Sequence, residues 1–485
     1  MPKMKTISVI LHALTTCMCL GASAQKSQSP NLIFVFPDEM RAQTLGYLGQ
    51  EKVKTPVLDR FAKESVYFSN AISNYPVCSP TRAMLFSGQY PVHNKVIGNC
   101  TSASAKFGCE LPQDTRCWSD VLKDQGYSLG YIGKWHLDSP HEPFVNTSNN
   151  IGDPKWNEWT PPSRRHGFSY WHAYGTYDQH LRPMYWDTDT PRDSFKYYEE
   201  WGPEHEANKA IDFIRNKDGK FRENGKPFAL VVSMNPPHMG YSLVPQRYKD
   251  LYSNVPVESL INKPSIEPAG TKWGDHYRKN IKDYYSAITG VDEQFGRILQ
   301  VLQEDGLAGN TIVVFTSDHG DCMGIHNEIT KNNPYEESMR VPLLIRFPGK
   351  IKPHTDDILL STTDICPTLL GLMGYALAIP KAVDGENLAG YLTTGKWNKP
   401  GSQWYMRISD ADASLGLRGV RTDRYTFVID QQNENQRNVL LFDREKDPYE
   451  LINIAGQNPV LEKELTSKLQ EWLEKYRDPW IKNIR

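Results

Sequence analysis

Three apolar, β-rich runs constrain this chain more than any other feature. Residues 31–36 (Asn-Leu-Ile-Phe-Val-Phe), 228–233 and 311–316 (Thr-Ile-Val-Val-Phe-Thr) carry no charged side chain along their length. That is the pattern of strands buried on both faces, as in the middle of a parallel sheet covered by helices. Each run ends at ligand-type residues: Pro37-Asp38-Glu39, Asn235-Pro236-Pro237-His238 and Ser317-Asp318-His319-Gly320. Ligands of open α/β sheets bind outside the carboxyl ends of the strands. Three buried strands that deliver carboxylates and imidazoles to one edge therefore predict a polar site there.

Helical stretches lie between the strands. Residues 55–64 place Val57, Leu58, Phe61 and Ala62 at helical spacing, and 281–302 is a long amphipathic run, so the chain predicts an α/β core. Beyond about residue 374 short strand-like pieces at 426–429 and 439–442 precede a final helix at 459–476. A chain of 485 residues exceeds the size at which one core stops growing. The expected division is a main domain over 25–374 and a smaller C-terminal α+β subdomain over 375–485.

The first 24 residues read as a cleaved export signal. Lys3 and Lys5 precede a largely apolar stretch over 7–21, and Ala22-Ser23-Ala24 supplies a small-residue cleavage site. The expected location is periplasmic or extracellular. No later segment is predicted to span a membrane. Six cysteines follow the signal: Cys78, Cys100, Cys109, Cys117, Cys322 and Cys366. An oxidising compartment permits disulfides, and the close spacing of Cys100, Cys109 and Cys117 invites one pair among them. A net charge of −2 lacks the basic excess of a nucleic-acid binder, and no nucleic-acid partner is expected.

The sharpest local pattern is Cys78-Ser79-Pro80-Thr81-Arg82, followed by Leu85, Ser87 and Gly88. Alone, it also fits a buried structural cysteine in a proline turn. Five further segments occur in order with it: 30–39, Gly133-Lys134-Trp135-His136, 235–238, 317–331 with Gly324, His326 and Lys331, and 442–450 with Phe442-Asp443 and Asp447-Pro448-Tyr449-Glu450. Together they resemble the type I, formylglycine-dependent sulfatases of the alkaline phosphatase superfamily, over nearly the whole chain beyond the signal. Thr81 stands where many members have serine, and Glu39 stands where aspartate is commoner.

That resemblance implies a large alkaline-phosphatase-like mixed β-sheet sandwiched by helices, with a smaller antiparallel sheet in the C-terminal subdomain. It implies that a formylglycine-generating maturation enzyme oxidises Cys78 to an aldehyde. It also implies a metal held by Asp38, Glu39, Asp318, His319 and residue 78. Oxygen ligands suit Ca²⁺, while the histidine leaves Mg²⁺ or Mn²⁺ open. By the same resemblance, hydrated formylglycine attacks sulfur, His238 with Lys331 protonates the leaving alcohol, and His136 takes the proton that lets the aldehyde re-form. Lys134 and Lys331 hold the sulfate oxygens and Arg82 orients the nucleophile.

The expected substrate is a sulfated carbohydrate. Five of the twelve tryptophans fall between Trp156 and Trp201, interleaved with tyrosines and with His166, His172 and His180. Such a stretch either stacks sugar rings or forms a packing layer, and His180, near Asp178 and Arg182, is the candidate specificity residue. An aryl- or choline-type sulfatase, a phosphonate or phosphate ester hydrolase, and a non-catalytic glycan-binding relative are the alternatives.

Overall fold

The computed structural model describes residues 29–395, 400–409, 412–433 and 436–484. The expected signal at 1–24 lies outside the described residues.

Ten strands form one mixed sheet. In chain order they are β1 Asn31–Pro37, β2 Val66–Ile72, β3 Ser128–Lys134, β4 Tyr170–Tyr174, β5 Met184–Asp187, β6 Lys196–Tyr197, β7 Phe228–Met234, β8 Thr311–Thr316, β9 Leu343–Arg346 and β10 His354–Ser361. Their spatial order is β10-β2-β9-β8-β1-β7-β3-β4-β5-β6. The middle of the sheet, β8-β1-β7-β3-β4, is parallel throughout. β9 runs antiparallel between β8 and β2, and β5 runs antiparallel beside β4.

The three apolar runs are the three central strands β1, β7 and β8, and every residue of each is buried. Alternation along β1 explains why no polar face was needed. Leu32, Phe34 and Phe36 enter one hydrophobic core, and Ile33 and Val35 enter the core on the opposite side. The first core is roofed by the helices Cys78–Ser87 and Thr362–Leu372, the second by Gly202–Arg215 and Lys272–Glu304. The sheet is thus sandwiched by helices, as expected. The helix expected over 281–302 begins earlier, at Lys272, where the Thr271 hydroxyl accepts from the Gly274 N–H and caps it.

Four further strands, β11 Gln403–Ile408, β12 Gly416–Arg421, β13 Tyr425–Asn433 and β14 Gln436–Asp443, make a separate antiparallel sheet. Helix Pro459–Lys475 turns Leu465, Leu469 and Leu473, spaced four residues apart, onto Trp404, Met406, Val420 and Phe427. Tyr75, Val77, Met84 and Tyr90 join that same core, so the second sheet packs directly behind the Cys78 helix. Among the described residues no helix is long and apolar enough to cross a membrane.

One buried pair near the sheet edge makes stability pH-dependent. His172 Nε2 and His205 Nε2 lie 3.0 Å apart, and each ring gives Nδ1 to a carboxylate, Asp187 at 2.6 Å and Glu200 at 3.1 Å. Burial pushes His172 down to about 4, outweighing Asp187. The unfolded histidine takes a proton near 6.5 while the folded one stays neutral, so stability is full above that pH and falls as pH drops toward about 4. Acidification from pH 7 to 5 is expected to cost about 2 kcal/mol through this group. Urea titrations of wild type and His172→Phe at both pH values check this; an equal acid loss in both proteins would refute it.

Candidate active site

Three adjacent parallel strands and one helix assemble the site. Asp38 and Glu39 follow β1, Ser317, Asp318 and His319 follow β8, and Asn235 and His238 follow β7. The Ser317 hydroxyl staples two of these exits, 3.0 Å from both the Pro37 carbonyl and the Met40 N–H. Glu39 takes a positive φ of 71°, and its carboxylate still converges with that of Asp38 and with the His238 ring. Lys134 closes β3, where Gly133 has φ +99° and a Cβ would fall 2.0 Å from the Ser233 carbonyl oxygen; only glycine permits that approach.

Cys78 opens the helix Cys78–Ser87, and its N-cap residue Val77 supplies no side-chain cap. The positive end of the helix therefore points into the site, a placement that favours anions. Pro80 sits in the first turn, where a missing N–H costs nothing. Cys78 Sγ lies 3.4 Å from His319 Nε2, 3.7 Å from Asp38 Oδ1 and 3.9 Å from Lys134 Nζ. Lys134 Nζ is 2.7 Å from Asp38 Oδ2 and donates to Asn235 Oδ1 at 3.2 Å. Lys331 Nζ is 3.0 Å from Glu39 Oε1.

Arg82 lies underneath, with no exposed surface. Its guanidinium reaches Asp38 Oδ2 at 2.8 Å, Asp318 Oδ2 at 3.0 Å, the Lys134 carbonyl at 2.7 Å and Ser233 Oγ at 2.8 Å. Its hydrogen bonds thus go to the carboxylates around Cys78 rather than to the thiol. Burial alone would raise the Asp38 carboxyl, but Lys134, His238 and Arg82 hold it well below the usual carboxylate range. Burial and Asp38 disfavour the Cys78 thiolate, yet Lys134, Lys331 and His319 outweigh them and hold the thiol well below its ordinary value.

The donor set fits a divalent metal. Asp38, Cys78, Asp318 and His319 form one buried group of convergent ligand atoms, and Asp38, Glu39 and His238 form a second. His319 Nδ1 is 2.9 Å from the Gly320 carbonyl, which leaves Nε2 facing Asp38 Oδ1 at 3.6 Å and Asp318 Oδ1 at 3.8 Å. Ligands at right angles around Ca²⁺ are about 3.3–3.7 Å apart, against roughly 2.8–3.0 Å around Mg²⁺. One of the two separations, 3.6 Å, falls in the range of the larger ion. Burial and the neighbouring Asp38 push the Asp318 carboxyl up to about 6, a repulsion that a cation between the two would relieve.

Two histidines are poised oppositely. His136 Nε2 lies 3.2 Å from the Cys100 carbonyl, an arrangement that puts its proton there and leaves Nδ1, without a hydrogen-bond partner among the described residues, as the acceptor. Burial lowers its pKa. His238 lies between Asp178 Oδ1 at 3.3 Å and Glu39 Oε2 at 3.6 Å. Burial and the lysines 331 and 134 lower it, but Glu39 and Asp38 prevail and raise it to about 10.

Every expected site residue except His180 thus converges on one centre. His180 is buried one step behind it, with Nε2 3.2 and 3.1 Å from the carbonyls of His238 and Met239, where it braces the loop that carries His238. The aromatic stretch divides. Trp159, Trp171, Trp186 and Trp201 pack into hydrophobic cores, whereas Trp156 stands outside them, 6.2 Å from the His136 ring. The six cysteines are free, with Cys100 and Cys109 close enough to share a hydrogen bond. From sequence, Asp178 and Asn235 are named only as neighbours of His180 and His238, with no role of their own. Asn235 carried a usable signal, since it directly follows a buried strand. Asp178 lies in an irregular loop, where only its nearness to His180 in the chain pointed to it.

The family model described as Sulfatase matches residues 30–375, and one described as N-sulphoglucosamine sulphohydrolase, C-terminal, matches 324–479. The chain is 38% identical to an endo-4-O-sulfatase of Bacteroides thetaiotaomicron, with 97% of each chain covered. It is 34% identical to an ulvan-active sulfatase of Formosa agariphila, covering 97% of this chain and 86% of that one. A solved sulfatase structure from Bacteroides fragilis is 51% identical and superposes with a TM-score of 0.91, over 96% of this chain and 100% of the other.

Proposed function

Because the chain belongs to the sulfatase family and is a sulfuric ester hydrolase, we propose that it removes O-sulfate from a carbohydrate, using a nucleophile made from Cys78. The metal, calcium by the ligand spacing, is held by Asp38, Glu39, Asp318, His319 and residue 78. Export by residues 1–24, maturation of Cys78 by a formylglycine-generating enzyme, and a catalytic part over 25–374 with a subdomain over 375–485 complete the reading. Similarity to an endo-4-O-sulfatase and an ulvan-active sulfatase supports a glycan substrate.

The observation that carries it is the pairing of a nucleophile position at a helix N-terminus with His136 Nδ1, unpartnered among the described residues, on one side and His238, set between Asp178 and Glu39, on the other. A hydrated aldehyde at position 78 and a bound divalent cation would supply an ionised hydroxyl and neutralise developing negative charge. The remaining work falls to side chains. Lys134 and Lys331 hold sulfate oxygens, and His238 donates a proton to the departing sugar oxygen. His136 accepts a proton at Nδ1 during release. Arg82 and Lys134 face Asp38 and Asp318, and Lys331 faces Glu39, so the carboxylates that would hold the cation already have cationic partners.

Protein from a cell that performs the maturation is expected to show an aldehyde mass at residue 78 and to release sulfate from sulfated oligosaccharides. Chelation is expected to lower that rate by about 100-fold or more, restored by Ca²⁺. Full turnover with an unmodified thiol, or after complete metal removal, would refute the reading.

A further inference from the structure

We propose that a cleft beside Cys78 is a second binding site, which reads an anionic group on the sugar next to the one that carries the scissile sulfate. Arg407 is its anion ligand and Trp156 its stacking face. The inference rests on the sulfatase reading above and extends it to substrate class: an acidic oligosaccharide rather than a single sulfated sugar.

The cleft has a volume of about 460 Å³ and lies between the loops of the large sheet and the edge of the small one. That size falls within the range of about 300–1,000 Å³ typical of small-ligand sites. Its walls are the immediate chain neighbours of the catalytic residues. Val77 precedes Cys78, Asn332 follows Lys331, and Thr101 follows Cys100, whose carbonyl positions His136. Trp156 lines it too, and is the member of the aromatic stretch that no hydrophobic core absorbs. A half-buried indole at the mouth of a polar cleft offers a face to a sugar ring.

Charge decides what kind of sugar. Among the described lining residues Arg407, on β11, carries the only charge, and none of them is a carboxylate. Its guanidinium makes no hydrogen bond or ion pair among the described residues, and its charge is felt by Glu328. This sets it apart from Arg41, Arg82 and Arg418, each of which is tied to carboxylates. A half-buried guanidinium with no ion pair among the described residues presents a planar fork of donors that fits a carboxylate or a sulfate bidentately. Around it Asn99, Thr101, Ser104 and Gln432 offer neutral partners for hydroxyls, and Asn332 Oδ1 is buried without a partner.

The test compares mature wild type with Arg407→Ala and Arg407→Lys on three forms of one sulfated oligosaccharide. One form keeps both a uronic carboxylate and a second sulfate, one has the carboxyl reduced to the alcohol, and one lacks the second sulfate. Wild type is expected to prefer the intact form over one of the other two by about 10–100-fold in kcat/KM, mainly through KM. Whichever change abolishes the preference identifies the anion. Arg407→Ala is expected to bring the preference to within about threefold, with Arg407→Lys intermediate. An unchanged preference in Arg407→Ala, or an equal loss on all three forms, overturns the inference. Wild type that releases sulfate from none of them, despite an aldehyde at residue 78, overturns instead the sulfatase reading beneath it.

Discussion

Cys78→Ala is expected to lower kcat on a sulfated sugar by about 10⁴-fold or more while the protein stays folded, as removal of a covalent nucleophile does elsewhere. The expectation follows from how the site is furnished. Around Cys78 stand His319, Asp38 and Lys134 at 3.4–3.9 Å: an imidazole, a carboxylate held ionised and a cation. None of these is a hydroxyl or thiol that could substitute. The side chain is buried, and removing one sulfur atom costs only about 1 kcal/mol in lost packing. Its hydrogen-bonding neighbours stay paired, Lys134 with Asp38 and His319 with Gly320. Sulfate release read beside a urea titration separates the two effects. A variant that keeps more than about a tenth of the wild-type rate would remove Cys78 from the reaction.

Most of the centre was legible in sequence because buried strands deliver it. β1, β7 and β8 carry no charged residue along their length, so Asp38, Asn235, His238, Asp318 and His319 at their ends stand out against an apolar background. The order of those strands in the sheet was not legible, since pairing depends on long-range packing that a local pattern does not encode. What was missed comes from irregular chain. Asp178, which flanks His238, sits in the loop between β4 and β5, and Arg407 lies on the edge of another sheet. The place of His180 was lost for a related reason. Its Nε2 serves two backbone carbonyls, and no residue pattern announces a side chain that supports a loop. The aromatic stretch offered two readings with one signature. Packing claimed four of its tryptophans and left Trp156 at the cleft.

Arg82→Leu is expected to cost about 3–5 kcal/mol of stability and nearly all activity, the largest effect on folding of any change at the site. The guanidinium is completely buried and serves Asp38, Asp318, the Lys134 carbonyl and Ser233 at 2.7–3.0 Å. Removing it leaves two buried carboxylates short of positive charge, and breaking one side of such a pair costs far more than the pair itself contributes. Leucine fills much of the space, so the loss reports charge rather than a cavity. A sign follows for the metal. With Arg82 gone, a bound divalent cation becomes the main counterweight to Asp38 and Asp318, so added Ca²⁺ should stabilise Arg82→Leu more than wild type. Binding at 100 times the dissociation constant is worth about 2.7 kcal/mol, enough to recover over half the deficit. Arg82→Lys keeps the charge but cannot span both carboxylates with a planar fork, and should fall between. Urea titrations with Ca²⁺ and with chelator measure all three proteins. A loss below about 1 kcal/mol, or a smaller calcium response in Arg82→Leu than in wild type, would mean that Lys134 alone balances the carboxylates and that Arg82 acts only by position.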